Sequence, residues 1–368
     1  MKVICDRGAL VEALNTVSGV VLARTPKPVL RCVKLAAETS PPTLTLIGTD
    51  TEVTVTLKTE RIEVAEAGEA LIPADKLGQI VRESIDPTIE IATDEESAVI
   101  TGKDSRFKVF GYPVSDFASV PGFEGDAEFE IAAGDLHRLI SMTIFATARE
   151  NSRYAINGVL LERTGNKLSV VATDGHRLAL AKGSCKGGSD ESKTAIVPTK
   201  ALNLLLKLFD DTEQSVRCKI ADNQIFFATD QAVLVSNLVE GNFPPYQDVV
   251  PKDGDKKAQV STDLLVSAVR RAALLTNEES KGVRLAFDND GLTLTSRAPE
   301  MGEAEIKSEL NSYAGEAIEI GFNPAYILDA LKVVDSEEVT LEMKAANKPG
   351  IIRTDQHFLY VVMPVSLN

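Results

Sequence analysis

The chain has 368 residues, 44% hydrophobic and 25% charged, the balance of a globular protein with room for two or three domains. Its formal net charge of −15 argues against binding nucleic acid through bulk charge, although charge segregated by face escapes such an average. No apolar run is long enough to span a bilayer, MKVICDRGAL turns polar too soon for a secretory signal, and the four cysteines show no C-x-x-C spacing, so a membrane span, a zinc site and a disulfide framework are not expected.

In chain order, DRGALVEALNTVSGVV from Asp6 reads as an amphipathic helix with Asp6 placed to cap it. LTLIGTDTEVTVTL from Leu44 is two alternating runs joined at Thr-Asp, the pattern of a β-hairpin. IPADKLGQIVRES from Ile72 reads as a strand end, a proline at the turn and a second helix, and AVITGKDSRFKVFGYPV as paired strands. SVPGFEGD, residues 119–126, is a Pro/Gly/Asp-rich boundary. The series then recurs. AGDLHRLISMTIFATA from Ala133 is a helix with Asp135 near its start, LSVVATDGHRLALA from Leu168 a hairpin, VPTKALNLLLKLF from Val197 a strand end and helix, and NQIFFATDQAVLVSNLV paired strands. After a second boundary, VVPKDGD at residues 249–255, come STDLLVSAVRRAALLT from Ser261 with Asp263, GLTLTSRAPEMGEAEI from Gly291 with the Thr-Asp lost, FNPAYILDALKVV from Phe322 and GIIRTDQHFLYVVMPV.

The three proline–helix segments start 125 residues apart both times, far beyond the solenoid range, so the repeat is of whole domains. Each domain is strand, helix, three strands, taken twice. The expected fold is α+β: three tandem domains of two βαβββ units each, spanning 1–122, 123–252 and 253–368, with antiparallel sheets outside and two helices on one side of each domain. Cys5, Cys32, Cys185 and Cys218 are expected to be reduced thiols in a cytoplasmic protein, two of them in apolar strand-like runs.

Chemistry-bearing patterns are sparse. Asp174-Gly175-His176-Arg177 invites an acid–base reading, but His137 and His357 lie in other repeats, and the chain has no nucleophile elbow, P-loop or G-x-G-x-x-G. A hairpin turn is the reading of choice there, and Asn157-Gly158 reads as a turn too. Phe243-Pro244-Pro245-Tyr246 reads as a rigid connector. No catalytic residue, metal site or cofactor is expected. Basic residues recur on helices: Lys76, Gln79 and Arg82 oppose Leu77, Ile80 and Val81, and Lys200, Asn203 and Lys207 oppose Leu202, Leu205 and Leu206. Arg7, Arg138, Arg270 and Arg271 belong to the other helices, Lys332 to the last, while Arg24 and Arg149 lie just past helix ends. Spacing alone favours the reading of ordinary solvated helix faces.

RYAINGVLLE (153–162), ATDGHRLAL (172–180), GNFPPY (241–246), IGFNPAYILDAL (320–331) and YVVMPV (360–365), in this order and across three repeats, resemble the β subunit of bacterial DNA polymerase III, the sliding-clamp family. The resemblance covers essentially the whole chain. It implies a non-catalytic, nucleoid-associated processivity factor: a head-to-tail homodimer closed as a six-domain ring around duplex DNA, bound by polymerases, clamp loader and repair factors through short linear peptides. Two chains would supply twelve helices, and at about 10–12 Å each their circle leaves a hole of roughly 28–34 Å, wide enough for a duplex and a layer of water. On that reading Arg24, Lys76, Arg82, Arg138, Arg149, Lys200 and Lys207 face DNA without reading sequence.

The dimer contact is expected between Lys103, Arg106, Phe107 and Lys108 on one edge and Glu300, Glu303 and Glu305 with Leu274 and Leu275 on the other. The resemblance also implies a peptide pocket. Its apolar part is Ile156, Leu178, Pro244, Val249, Val361 and Met363; its rim is Thr173, Gly175, His176 and Arg177; Asn323, Tyr326, Pro364 and Val365 extend it. Departures from the family pattern are Asp248 in place of a commonly basic residue, Ser280 where an aromatic can occur, and Asn368 extending the tail. The competing classes are an enzyme with a new site and a tandem-domain scaffold without DNA.

Overall fold

The computed structural model describes residues 1–94, 96–148, 155–189, 191–209, 212–276, 282–299, 301–354 and 357–366. The expected order of elements is present in every repeat. The first contains β1 (Lys2–Asp6), α1 (Arg7–Ser18), β2 (Cys32–Thr39), β3 (Pro42–Thr49), β4 (Val53–Thr59), β5 (Ile62–Glu66), β6 (Gly68–Pro73), α2 (Ala74–Glu83), β7 (Thr88–Thr93), β8 (Ser97–Thr101) and β9 (Arg106–Phe110). The second contains β10 (Phe129–Ala132), α3 (Ala133–Ser141), β11 (Gly158–Thr164), β12 (Lys167–Thr173), β13 (Arg177–Ser184), β14 (Lys193–Pro198), α4 (Thr199–Leu208), β15 (Ser215–Ile220), β16 (Gln224–Ala228) and β17 (Ala232–Asn237). The third contains β18 (Lys256–Ser261), α5 (Thr262–Ala272), β19 (Val283–Asp288), β20 (Gly291–Ala298), β21 (Gly302–Ser308), β22 (Ser312–Ala314), β23 (Ile318–Phe322), α6 (Pro324–Leu331), β24 (Glu338–Met343), β25 (Gly350–Arg353) and β26 (Phe358–Val362). The short β5 and β22 are additions to the βαβββ pattern.

The repeats do not keep their sheets to themselves. One compact unit comprises Met1–Gly134, Lys186–Gly188 and Lys200–Leu238. It holds a five-stranded sheet, β5-β1-β7-β8-β9, and an eight-stranded sheet, β10-β15-β16-β17-β4-β3-β2-β6. The other comprises Asp135–Cys185, Ser189–Thr199 and Val239–Asn368. It holds a nine-stranded sheet, β14-β11-β12-β13-β26-β25-β24-β18-β22, and a four-stranded sheet, β21-β20-β19-β23. The last strand of the second repeat therefore pairs with β4 of the first, and the last strand of the third pairs with β13 of the second.

The helices bury the stripes that their periodicity marks. α2 buries Ala74, Leu77, Gly78 and Val81; α5 buries Leu265, Ala268, Val269 and Ala272. On α4 the buried set is Ala201, Leu202, Leu204 and Leu205, with Leu206 only half-buried. Asp6 caps α1, its carboxylate accepting from Ala9 N at 2.8 Å. Asp135 and Asp263 sit within the first turns of α3 and α5, where a carboxylate suits the dipole. α3 is shorter than its sequence pattern. It ends at Ser141, the Thr143 hydroxyl donates back to Leu139 O at 3.0 Å, and a 3-10 turn follows at Ile144–Ala146. The four cysteines are all buried.

Asn157-Gly158 is not a turn. Gly158 opens β11 opposite Pro198, and a Cβ there would lie 2.9 Å from both Ile196 Cγ2 and Val197 O. The glycine is required by close strand approach instead.

Candidate functional site

Asp174-Gly175-His176-Arg177 is the β12–β13 turn. The Asp174 carboxylate accepts from His176 N at 3.0 Å and Arg177 N at 3.1 Å, and the Thr173 hydroxyl accepts from Gly175 N at 3.1 Å while donating to Arg177 O at 2.6 Å. Gly175 takes φ +89°, a conformation that suits glycine. The turn's side chains are thus committed to holding its shape. No group of three or more His, Cys, Asp or Glu that could hold a metal occurs among the described residues.

Arg177 is the best-held side chain of the site, only 11% exposed. Its Nε donates to Asp174 at 3.0 Å, Nη1 to Asp329 on α6 at 2.8 Å and Nη2 to Phe145 O at 2.9 Å. The guanidinium lies 4.5 Å from the Tyr326 ring centroid and 5.5 Å from that of Phe145. Burial works against its charge, but the hydrogen bond it donates to Asp329, with Tyr360 and Asp174, outweighs it and drives the pKa upward. Tyr360, buried beneath, donates to Tyr326 O at 2.9 Å. One arginine therefore ties the second repeat's hairpin to the third repeat's helix.

Beside it, one face of the nine-stranded sheet gathers Leu160, Val171, Leu178, Leu180, Tyr246 and Val361 in a buried cluster, with Phe243 and Val250 packed against it. Val249 and Met363 project from its margin, 46% and 38% exposed. The chain's end is stitched across the turn: Met363 N donates to His176 O at 2.9 Å, and Val365 N to Gly321 O at 2.8 Å. A depression of about 580 Å³ follows, lined by Met363, Pro364 and Val365 with Ile320, Gly321 and the Arg284–Glu319 ion pair.

The residues expected to form a pocket are thus partly gathered. Leu178 and Val361 share the cluster, His176 meets Met363, Arg177 meets Tyr326, and Met363, Pro364 and Val365 share the depression. Ile156 is buried next to Ala155, whose N–H donates to Asn242 O at 3.2 Å on the connector that carries the half-buried Pro244. Asn323 has a structural role as well, capping α6 by accepting from Ala325 N at 3.0 Å. Sequence reasoning missed Leu160, Val171, Leu180 and Tyr246. Leu180 stands two residues beyond Leu178 on the same strand face, a signal that period-2 alternation carries.

The basic residues expected on helices are exposed, apart from Arg7 and Arg138, which are half-buried. Arg138 and Lys200 already pair with carboxylates, Asp135 at 3.3 Å and Asp50 respectively. Arg82 donates to Asn15 at 3.3 Å, and Asp75 and Glu83 are exposed on the same helix as Lys76 and Arg82. Segregation by sign is therefore incomplete on α2. Arg149, Ser280, Glu300 and Asn368 lie outside the described residues.

The expected dimer residues sit on two sheet edges. β9 ends the five-stranded sheet and exposes Arg106, Phe107, Lys108 and Phe110, with Lys103 in the turn before it. β21 ends the four-stranded sheet and exposes Glu303 and Glu305, with exposed Met301 in the turn before it and Leu274, 72% exposed, in the Ala273–Leu275 3-10 turn that packs against it. Leu275 packs 3.9 Å from the position a Cβ would take on Gly302.

Three family models match in series: the N-terminal domain of the DNA polymerase III beta subunit over residues 1–121, the central domain over 130–245 and the C-terminal domain over 247–366. The beta sliding clamp of Pseudomonas putida is 36% identical over 98% of this chain and 99% of its own length. That of Escherichia coli is 34% identical over the full length of both. Among solved structures, a Pseudomonas aeruginosa sliding clamp bound to griselimycin superposes with a TM-score of 0.94 at 36% identity, and the Bacillus subtilis DNA polymerase sliding clamp with 0.95 at 27%, each covering both chains completely.

Proposed function

The chain belongs to the DNA polymerase III β-subunit family, the sliding clamps, and from that premise we propose that two copies close head to tail into a ring around duplex DNA. The family's members are processivity factors and not enzymes: a sliding clamp binds DNA and tethers polymerases to it. We take the domains as 1–122, 123–252 and 253–368.

The observation that carries the ring is the pair of junctions inside the chain. β4 pairs with β17, and β13 pairs with β26, in equivalent registers: Thr54↔Val235 and Thr56↔Val233 in one, Leu178↔Val361 and Leu180↔Leu359 in the other. The third repeat's counterpart of β4 and β13 is β21, and the first repeat's counterpart of β17 and β26 is β9. Both are sheet edges. Connectors hydrogen-bond to four other edges, with Tyr112 on β6, Lys186 on β10, Val239 on β14 and Val365 on β23. Of the remaining edges, β22 has three residues, and β5 has five with a register shift in its pairing to β1. Two bare edges that match the two made junctions are what a closing interface requires, and what an unpartnered chain would otherwise expose to aggregation.

The internal pairings also support a register for the closing contact. Leu46↔Leu57, Val170↔Ala181 and Leu294↔Ile306 are equivalent pairs, as are Ala228↔Val233, Arg353↔Leu359 and Thr101↔Arg106. Carrying the internal junctions over sets Glu305 opposite Arg106, Glu303 opposite Lys108 and small Ala304 opposite Phe107. The last pair repeats Ala179 opposite Tyr360. Opposite charges share one face of the sheet and the aromatic ring fills the other.

The exposed basic residues Arg24, Lys76, Arg82, Lys200 and Lys207, with Arg138 and Arg149, would contact phosphates loosely and without sequence readout. Ile156, Thr173, Gly175, His176, Arg177, Leu178, Pro244, Val249, Asn323, Tyr326, Val361, Met363, Pro364 and Val365 would receive short peptides of polymerases, loader and repair factors, with an apolar anchor over the Leu178–Val361 cluster. We place the ring in the cytoplasm at the nucleoid; no helix among the described residues is long and apolar enough to cross a membrane. Sedimentation equilibrium at micromolar concentration tests the ring: twice the chain mass is expected, and a monomer that still binds DNA would overturn it.

A further inference from the structure

Tyr246 and Glu162 form a part-buried polar contact that the expected pocket does not include. The connector between β17 and β18 crosses the sheet face that carries Leu160, Leu178, Leu180 and Val361, and the Tyr246 ring, 7% exposed, packs into that cluster. Glu162 is two residues beyond Leu160 on β11, so its side chain rises from the same face. The Tyr246 hydroxyl lands on it and donates to Glu162 Oε2 at 2.6 Å. Such a short bond to a half-buried carboxylate is stronger than a neutral one and fixes where the phenol end of the ring lies. Burial, reinforced by the bond to Glu162, raises the phenol's pKa, so the hydroxyl keeps its proton at neutral pH.

The fixed ring sets the backbone on both sides. A single 3-10 turn starts at Tyr246, and its hydrogen bonds are Asp248 N to Pro245 O at 3.2 Å and Val249 N to Tyr246 O at 3.1 Å. Pro244 precedes the turn, and Val249, apolar yet 46% exposed, projects from its end. Both residues lie on the connector, outside any strand or α-helix. We propose that the Tyr246–Glu162 hydrogen bond is a positioning pair that holds Pro244 and Val249 as one wall of the peptide groove, so that Tyr246 and Glu162 govern partner affinity without touching the partner. The inference rests on the peptide-pocket reading above.

The probe is a fluorescein-labelled decapeptide from the C-terminus of the same organism's replicative polymerase catalytic subunit, titrated by anisotropy against the full-length protein. Tyr246→Phe keeps the ring and removes the bond; it should weaken binding about tenfold with sedimentation and melting unchanged. Glu162→Ala, which leaves the tyrosine whole, should give the same loss, and Tyr246→Phe with Glu162→Ala no more than either alone. Glu162→Gln, whose amide oxygen still accepts, should recover most of the affinity. Equal binding by wild type, Tyr246→Phe and Glu162→Ala overturns the pairing while leaving the pocket. A Glu162→Gln as weak as Glu162→Ala, or losses that add, also overturns it. No binding to wild type removes the pocket and this proposal together.

Discussion

Arg106 and Glu305 offer the cleanest test of the register across the closing junction. Glu303 already faces Arg297 within its own sheet, so reversing it disturbs the folded chain as well as the interface. Glu305 faces Thr295, and Arg106 faces Thr101, both uncharged; among the described residues the one ion-pair partner of Glu305 is Lys307 at 3.8 Å, with both side chains well exposed. An opposite-charge cross-strand pair contributes roughly 0.2–1 kcal/mol and a like-charge pair costs a similar amount, so Arg106→Glu shifts one junction by about 0.4–2 kcal/mol. A ring has two identical junctions, which doubles this to about 0.8–4 kcal/mol, or about fourfold to several hundredfold in dimer Kd at roughly 1.4 kcal/mol per decade. Both side chains are solvent-exposed in the chain and screened by salt, so the lower half of that range is expected at physiological ionic strength, and the effect should shrink at about 0.5 M salt. Analytical ultracentrifugation over a dilution series reads it. Glu305→Arg should restore the Arg106→Glu dimer, and Glu303→Arg should not. Equal rescue by both, or rescue by neither, would refute the register.

Other outcomes follow from the same geometry. Met363→Ala, and a chain ending at Tyr360, should lose peptide affinity by an anchor's worth, about 2 kcal/mol or more, with dimerisation intact; unchanged affinity in calorimetry would clear Met363 of the role. Neutralising Lys76 and Arg82 together should lower the salt dependence of DNA retention by about 0.9 in log–log slope per lost phosphate contact and leave sequence preference absent, as filter binding across salt would read. Burial, with Asp6 beside it, raises the Cys5 thiol to about 12, and burial with Asp75 raises Cys32 to about 11 against the pull of Arg31. All four thiols should therefore resist a disulfide reagent at pH 8 until denaturant is added, and fast labelling of the native protein would contradict their burial.

What the sequence made legible was what is encoded locally. Helix positions such as Leu77 and Val81, hairpin turns such as Asp174-Gly175 and the domain-length repeat all follow from sequence patterns, although Ile80, marked with the same stripe, is only half-buried. Strand partners across repeats are not so encoded. Nothing near β17 says that Leu234 will face Val55, so the sheets that run from one repeat into the next went unforeseen. The same limit explains the site. Arg177 could be singled out by motif, but its carboxylate partner Asp329 lies 152 residues away. Glu162 and Tyr246 are 84 residues apart, and only the fold brings the phenol to the carboxylate. Asn157-Gly158 misled because a glycine needed for close approach carries the same letters as one needed for a turn.

The central claim is topological, and retention on DNA tests it most directly. The protein is loaded by its clamp loader onto a nicked circular plasmid, separated by gel filtration in about 0.5 M salt, and the plasmid is then linearised with a restriction enzyme. The salt is chosen to suppress phosphate contacts. A ring that encircles the duplex stays with the circle and is lost from the cut molecule at its ends. Equal retention on both forms, or loss from both, would contradict it.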